Sequence, residues 1–180
     1  MKLNIDKSWT LFLDRDGVIN KRLVGDYVKS WKEFEFLDGV LEAIEKFNHL
    51  FGTIVIITNQ QGVGKGLMTL ESVDAIHQKM ITIINKNGGR VDKCYICPNL
   101  ETDKATCRKP EIGMAIQAQK DFPTIDFQKS IIFGDSASDM QFGKNAGMKR
   151  VFVTTKPEDF AKANEIGFDL EIDGLLDFFD

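Results

Sequence analysis

The sequence predicts an α/β protein in which a parallel sheet carries helices on both faces. Short apolar runs alternate along the chain with longer segments whose apolar residues recur at helical spacing. The runs are continuous rather than alternating, which is typical of strands buried on both faces of a parallel sheet. No repeat, low-complexity tract or linker interrupts the 180 residues, so we expect a single domain over residues 1–180.

The first strand is predicted at residues 9–13, and two aspartates, Asp14 and Asp16, follow it directly. Gly17 then gives the chain the freedom to turn. Two carboxylates this close raise each other's pKa unless a cation holds them. The pair therefore indicates either a divalent metal site or an acid and a base with split pKa values, with an Asp-rich turn as the alternative that carries no function.

Periodicity and end signals predict the helices. The first covers residues 37–52, with Asp38 placed to cap it and Gly52 to end it. Pro110 is expected to open a later helix, because proline is favoured in a first helical turn. The other predicted helices lie at residues 70–87, 139–147 and 157–165 and at the end of residues 168–180. Residues 21–36 show no clear period and are expected to pass over the site.

Apolar, β-favouring runs predict the remaining strands. They are expected at residues 53–57, 92–97, 130–133 and 150–154, with a last short strand within residues 168–180. Thr58, Asn59 and Gln60 follow the second strand, and Asp135 follows the fourth. Because the carboxyl ends of parallel strands share one edge of a sheet, these side chains converge with the two aspartates of the first strand.

The converging residues predict a particular chemistry. Three carboxylates in one cleft need positive charge, and hard oxygen ligands with room for water suit Mg²⁺. The hydroxyl of Thr58, the amide of Asn59 and the ammonium of Lys109 suit the oxygens of a phosphate, as do helix N-termini. The residues alone therefore predict a site for Mg²⁺ and a small phosphorylated molecule.

Composition and charge exclude other classes of function. The net charge of -4 and the absence of a basic tract argue against a nucleic-acid partner. Residues 1–7 are polar, and no apolar run is long enough for a secretory or membrane-spanning segment. Three cysteines, an odd number, do not describe a disulfide framework. These features predict a cytoplasmic protein with reduced thiols and no membrane partner. We also expect a monomer.

The motifs resemble those of the haloacid dehalogenase superfamily of phosphotransferases. Its four motifs are matched in order by Asp14-Arg15-Asp16-Gly17-Val18, Thr58-Asn59, Lys109 and Gly134-Asp135-Ser136-Ala137-Ser138-Asp139. Within the superfamily the chain is more similar to the histidinol phosphate and heptose bisphosphate phosphatase branch, through DRDGVIN, GDYV, FEFLDGV, TNQQGVGKG, CRKPEIGM and GDSASDM. The resemblance extends over nearly the whole chain and implies a Rossmann-like fold. No insertion large enough for a cap domain separates the motifs.

The resemblance also implies a role for each matching residue. Asp14 would be the nucleophile that forms an aspartyl phosphate, and Asp16 would protonate the leaving alcohol and then activate water. Asp14, Asp135 and the backbone carbonyl of Asp16 would hold Mg²⁺. The substrate and its phosphate would be bound by Thr58, Asn59, Gln60, Arg108 and Lys109, and Asp139 would orient Lys109 or support the metal shell.

The implied function is hydrolysis of D-glycero-D-manno-heptose 1,7-bisphosphate at its 7-phosphate. Ser136 stands where a lysine often follows the metal aspartate in that branch, so histidinol phosphate stays an alternative substrate. A non-catalytic binding protein on the same fold is the alternative from another class. The intact residues Asp14, Asp16, Lys109 and Asp135 speak against it.

The cysteines depart from the pattern of the branch. In many members a loop before Arg-Lys-Pro binds zinc through four ligands, and the matching positions here are Cys97, Asn99, Ala105 and Cys107. Asparagine replaces imidazole poorly at zinc, so we expect no zinc. Cys94 is the candidate third thiolate, and ordinary thiols are the alternative.

Other features are weaker. Residues 62–66 resemble a nucleotide-binding P-loop but lack its first glycine and its Ser/Thr, so we expect a flexible loop that brings Lys65 to the substrate. His49 and His77 lie beside apolar positions of predicted helices and are expected to be structural. Tyr27 and Trp31 either line the site or anchor residues 21–36.

Overall fold

The computed structural model describes residues 4–180, so the first three residues of the polar N-terminal segment lie outside the described part. The strands are β1 (Thr10–Leu13), β2 (Thr53–Asn59), β3 (Lys93–Cys97), β4 (Ser130–Gly134), β5 (Lys149–Val153) and β6 (Leu170–Ile172). They form one sheet in the order β3-β2-β1-β4-β5-β6, and every neighbouring pair is parallel. The predicted parallel sheet is therefore confirmed.

The connections between the strands carry the helices. The α-helices are α1 (Val40–Leu50), α2 (Gln61–Gly64), α3 (Leu70–Lys86), α4 (Gly113–Asp121), α5 (Ala137–Ala146) and α6 (Phe160–Ile166). Short 3-10 turns lie at Trp31–Glu33, Glu101–Asp103, Phe127–Lys129, Pro157–Asp159 and Leu175–Phe179. Within residues 4–180, no helix combines the length and the apolar character that crossing a membrane requires.

The two faces of the sheet bury separate cores. Leu11 and Leu13 of β1 point into a cluster with residues of α1 and α3, whereas Phe12 points to the other face and packs with residues of α4 and α5. Successive side chains of a strand alternate between faces, so a continuous apolar run such as that of β1 requires helices on both sides. The expected two-sided covering is confirmed, and it holds the central strand rigidly.

Two predicted helix starts are wrong. Gly39, in the left-handed region with φ 73°, occupies the N-cap of α1, so Asp38 does not cap it. Pro110 lies in a turn in which Glu111 N–H donates to the Arg108 carbonyl at 2.8 Å, and α4 begins only at Gly113. Tertiary bonds to Asn59 hold the Lys109 backbone in this turn, and local sequence does not reveal them.

Candidate active site

The site lies where the strand order reverses. From the central β1 the chain proceeds to β2 and β3 on one side, and β4, β5 and β6 occupy the other. Asp14 directly follows β1 and Asp135 directly follows β4, its neighbour. A switch point of this kind leaves a crevice at the carboxyl ends of the strands, where ligands of open α/β sheets bind.

A buried ion-pair cluster occupies this crevice. Asp14, Asp135 and Asp139 each offer an oxygen within 4.8 Å of the others. The Lys109 ammonium lies 2.7 Å from Asp14 Oδ1 and 2.6 Å from Asp139 Oδ1, and it donates to the Ile57 carbonyl at 3.2 Å. Lys109 is therefore fully engaged, and Asp139 is one of the two carboxylates that hold its ammonium.

The electrostatics of the cluster call for a further cation. Burial raises the pKa of Asp14 to about 7; Asp139 and Asp16 add to the rise, and Lys109 opposes it. Burial, helped by Asp14 and Asp139, raises the pKa of Asp135 to about 8. Burial lowers the pKa of Lys109, but Asp139 and Asp14 outweigh burial and raise it. One lysine does not neutralise three buried carboxylates, so Asp14 and Asp135 fit a divalent cation.

Two glycines allow the acids to approach so closely. A Cβ on Gly17 would lie 1.9 Å from Asp135 Oδ2, and its φ of +89° also disfavours any other residue. A Cβ on Gly134 would lie 2.1 Å from the Asp139 Cβ. The glycines of both aspartate motifs are therefore required by the packing of the carboxylates as well as by the turns.

Asp16 lies at the wall of the crevice in a different environment. Its carboxylate accepts two bonds from the Arg15 guanidinium, at 2.9 and 2.8 Å, and one each from Asn20 and Gln60, at 2.9 and 2.8 Å. Burial raises the pKa of Asp16, but the charge of Arg15 and these bonds outweigh it and hold the pKa below its usual value. The four donated bonds therefore favour the ionised form of Asp16 in this conformer.

A buried histidine supports this arrangement. Arg15 is fully buried, and its Nη1 lies 3.2 Å from His77 Nε2 on α3. Burial, with the adjacent Arg15, lowers the pKa of His77 to about 3, so the imidazole is neutral and accepts from the guanidinium. His77 therefore has a structural role: it contacts the Arg15 guanidinium, which in turn donates two hydrogen bonds to Asp16.

The other predicted binding residues take different positions. Thr58 is buried, and Gln60 uses its amide to donate to Thr58 Oγ1 and to Asp16, both at 2.8 Å. Asn59 donates to the Lys109 carbonyl at 3.2 Å and accepts from the Lys109 N–H at 3.1 Å. Thus the polar residues at the end of β2 contact Asp16 and Lys109, and Asn59 is the one of the three whose surface lines the crevice.

Two adjoining cavities open at this edge. The catalytic cavity, of about 470 Å³, is lined by Asp14, Asp16, Arg22, Leu23, Gly25, Asp26, Tyr27, Val28, Asn59, Gln61, Lys65, Lys109, Asp135, Ser136, Ser138 and Lys156. The side cavity, of about 510 Å³, is lined by Asn59, Glu101, Lys104, Ala105, Arg108, Lys109, Pro110, Glu111, Ser138 and Lys156. Arg108 therefore lines the side cavity and not the cavity that contains Asp14 and Asp135.

The structure decides two alternatives around the rim. Tyr27 lines the catalytic cavity and accepts a hydrogen bond from Lys65 at 2.9 Å, whereas Trp31 stacks on Phe34 at 4.8 Å and packs against the core. Lys65 reaches the cavity as expected, but residues 61–64 form a helical turn, α2, rather than a flexible loop.

The expectation of reduced thiols is wrong for two of the three cysteines. Cys97, at the end of β3, and Cys107, just before Arg108, form a disulfide with their Cα atoms 5.4 Å apart. The sequence did not predict this disulfide, because an odd number of cysteines argued against disulfides and the two partners are brought together only by the fold. Cys94 is free and half-buried.

Sequence reasoning missed three residues that converge on Asp135 or its cavity. Thr155 Oγ1 donates to the Gly17 carbonyl at 2.5 Å and lies 3.4 Å from Asp135 Oδ2. Arg22 Nε lies 3.9 Å from the same oxygen, and Lys156 lines both cavities. Thr155 and Lys156 follow β5, so the rule that polar residues after a strand reach this edge would have found them.

This fold and the lysine-bridged acids at its switch point are those of the haloacid dehalogenase phosphatases, which are phosphoric monoester hydrolases. The family model described as polynucleotide kinase 3 phosphatase matches residues 10–172. The chain therefore belongs to this family, within the haloacid dehalogenase superfamily.

Relatives and solved structures are similar over most of the chain. The D-glycero-alpha-D-manno-heptose-1,7-bisphosphate 7-phosphatase of Mycobacterium bovis is 41% identical over 137 residues, 76% of this chain and 72% of that protein. The D-glycero-beta-D-manno-heptose-1,7-bisphosphate 7-phosphatase of Rhodopseudomonas palustris is 37% identical over 76% and 78%. The crystal structure of D,D-heptose 1.7-bisphosphate phosphatase from B. bronchiseptica, complexed with magnesium and phosphate, has a TM-score of 0.82, 31% identity and 93% coverage of both chains.

Proposed function

We propose that this chain is a Mg²⁺-dependent phosphatase that removes the 7-phosphate of D-glycero-D-manno-heptose 1,7-bisphosphate. The observation that carries the proposal is the buried carboxylate of Asp14, held 2.7 Å from the Lys109 ammonium beside Asp135. The substrate is supported by the names of the relatives, which include alpha-anomer and beta-anomer phosphatases. The anomer is therefore left to the experiment.

In the first half-reaction an oxygen of Asp14 attacks the phosphorus while the bond from phosphorus to the sugar oxygen breaks. The products are an aspartyl phosphate and the alcohol, which takes its proton from Asp16. Lys109 neutralises charge next to the nucleophile, and Asp139 keeps it in place. Asp14, Asp135 and the Asp16 carbonyl would hold Mg²⁺, which supplies charge neutralisation for the transferred phosphoryl oxygens when bound.

In the second half-reaction water attacks the phosphorus of the aspartyl phosphate. Asp16 takes the proton of that water, and orthophosphate leaves as Asp14 is restored. The ionised conformer of Asp16, held by Arg15 and Gln60, suits this step. Asp16 therefore gives up a proton in the first half-reaction and takes one back in the second.

A phosphate-release screen tests the proposal. Both anomers of the heptose bisphosphate, histidinol phosphate and nucleotides are compared by kcat/KM with Mg²⁺ present. We expect a heptose bisphosphate to be hydrolysed most efficiently, and Asp14→Asn to abolish release from every substrate. A higher kcat/KM for histidinol phosphate would contradict the assignment.

Arg108 provides a test of specificity. Its guanidinium lines the side cavity and can grip a second phosphate in a forked geometry that lysine does not copy. Arg108→Ala should therefore lower kcat/KM for a sugar bisphosphate more than for a small monophosphate. Equal losses would remove the reason for preferring a bisphosphate.

A further inference from the structure

We propose that Lys156 is a substrate-binding residue that contacts the phosphate that is not transferred. The inference rests on the proposed function, because it concerns a substrate with two phosphates. It assigns a role to a residue outside the four motifs, in the connection between β5 and α6.

The position of Lys156 is the first observation. Among the described residues, Asn59, Lys109, Ser138 and Lys156 line both cavities. The amide of Asn59 is bonded to the Lys109 backbone, and the Lys109 ammonium is bonded to Asp14, Asp139 and the Ile57 carbonyl. Lys156 is therefore the shared cation that can still bind a ligand where the two cavities meet.

Neighbouring contacts hold the ammonium at this junction. Lys156 Nζ donates to Asp159 Oδ2 at 2.9 Å, and the same oxygen accepts from the Ala137 N–H of α5 at 3.2 Å. Thr155, the preceding residue, is bonded to the Gly17 carbonyl of the catalytic turn at 2.5 Å. An ammonium has three donors, so one ion pair places Lys156 and leaves further N–H groups for a phosphate.

Charge in the side cavity favours an anion. Lys104, Arg108 and Lys156 line it besides the already paired Lys109, against Glu101 and Glu111. Arg108 comes from the connection between β3 and α4, so Lys156 brings a second cation from another part of the chain. Ser138 adds a short hydroxyl rather than a charge. Two cations on separate loops can bind a phosphate dianion from different directions.

The test compares Lys156→Gln with the wild type on a heptose bisphosphate and on nitrophenyl phosphate. A charge-assisted hydrogen bond contributes about 1.5–3 kcal/mol, and about 1.4 kcal/mol is a tenfold change, so kcat/KM for the bisphosphate should fall about tenfold to hundredfold. Most of that loss should appear in KM. Nitrophenyl phosphate has no second phosphate, so its loss should be several times smaller, and Lys156→Arg should restore most of the bisphosphate efficiency.

The control is Lys162→Gln, which removes an exposed lysine of α6 that lines neither cavity. It should retain wild-type preference for the bisphosphate. Equal losses on both substrates for Lys156→Gln, or the same selective loss for Lys162→Gln, would overturn the inference. Circular dichroism of each variant excludes unfolding as the cause.

The activity of the wild type distinguishes failure of the proposed function from failure of the inference about Lys156. If the wild type hydrolyses nitrophenyl phosphate but not heptose bisphosphate, the proposed substrate is wrong. Inhibition of nitrophenyl phosphate hydrolysis by fructose 1,6-bisphosphate and by fructose 6-phosphate then tests Lys156 by itself. The bisphosphate should inhibit more tightly in the wild type, and Lys156→Gln should remove that advantage. No advantage in the wild type, or one that Lys156→Gln leaves intact, would overturn the inference.

Discussion

The pKa values of Asp14 and Asp135 could not be predicted from the residue type alone, because they depend on the surroundings of each carboxylate. Their place after two strands followed from the sequence, but their pKa values depend on burial and on each other. Asp16, two residues from Asp14, is shifted the opposite way by Arg15 and its other donors. Burial raises the pKa of both aspartates. At Asp16 the charge of Arg15 and four donated bonds outweigh burial, whereas at Asp14 the single Lys109 ammonium does not.

The first prediction concerns pH and metal. Without metal, the folded protein binds more protons at Asp14 and Asp135 than the unfolded chain does, between the ordinary pKa of 3.8 and about 7 to 8. The stability that these protons contribute is complete below about pH 4 and is lost as pH rises through 7 to 8. In chelator we therefore expect the Tm contribution of these groups to fall between about pH 4 and about pH 8 and to level off above that.

Mg²⁺ should change this dependence, because the cation replaces the protons. Thermal melts with excess Mg²⁺ should show a stabilisation that grows with pH, and the affinity for Mg²⁺ measured by titration calorimetry should rise over the same interval. Asp135→Asn removes one of the two titrating groups and should weaken both effects. A stabilisation by Mg²⁺ that does not vary with pH would contradict the assignment of raised pKa values.

The second prediction separates Asp16 from Asp14. Expelling a sugar alkoxide needs a proton, and a placed acid contributes about 10²- to 10⁴-fold, whereas a nitrophenolate needs little help. Asp16→Asn should therefore form the aspartyl phosphate from nitrophenyl phosphate far better than from a sugar phosphate. Since water activation is also lost, rapid-quench experiments should show one burst of nitrophenol per site and little turnover.

Asp14→Asn is the matched control, because asparagine cannot attack phosphorus in its place and should give no burst. If Asp16→Asn lacks a burst, or loses the same factor on both substrates, Asp16 is not the acid and base. The asparagine keeps one acceptor oxygen, which can retain the bonds of Arg15 and Asn20, whereas its NH2 group faces the Gln60 donor. Circular dichroism of the variant checks that it stays folded.

At the scale of elements, hydrophobic periodicity predicted which segments are helices and which are strands, but it predicted their first and last residues less well. The strands and long helices were expected close to where they lie, since their apolar faces pack against the sheet. The start of α4 was wrong, because Asn59 holds the Lys109 backbone and delays the helix to Gly113. Such a boundary is set by a residue 50 positions away, and no local signal carries it.

The third prediction concerns the disulfide, which joins the end of β3 to the residue before Arg108. It closes a loop with a sequence separation of 10. The chain-entropy estimate for such a loop is about 2.5 kcal/mol, or about 5–10 °C in Tm for a chain of this size. Cys97→Ser with Cys107→Ser should lower the Tm by this amount, and reductant should lower that of the wild type equally.

Cys94→Ser is the control, because the Tm of this variant should stay as sensitive to reductant as that of the wild type.

Elemental analysis of protein purified without added metal should find no zinc, since the two remaining ligands of the expected four are joined to each other. One tightly held zinc per chain, or a wild-type Tm indifferent to reductant, would contradict the prediction.

At the scale of the molecule, one parallel sheet explains why residues far apart in sequence meet. Asp14 and Asp135 directly follow β1 and β4, and Asn59 ends the adjacent β2, so the topology predicted from alternating segments was enough to bring them together. Arg22 was missed because its contact with Asp135 crosses between loops, where partner and distance depend on side-chain packing. Thr155 follows β5, so the rule for polar residues at strand ends covers it, although its bond to the Gly17 carbonyl could not be predicted. The edge of the sheet was therefore predictable, and the walls of the cavities were not.

The last prediction is that residues 1–180 behave as a single domain. The two core clusters share the central strand β1, whose Leu11 and Phe12 lie in different clusters, so neither core can open without exposing the other. Differential scanning calorimetry should show one transition with equal calorimetric and van't Hoff enthalpies. Mg²⁺ and phosphate together should move that transition upward as a whole, because their site is built from several strands of the same sheet. Two transitions, of which only one moves with the ligands, would show that the cores unfold independently.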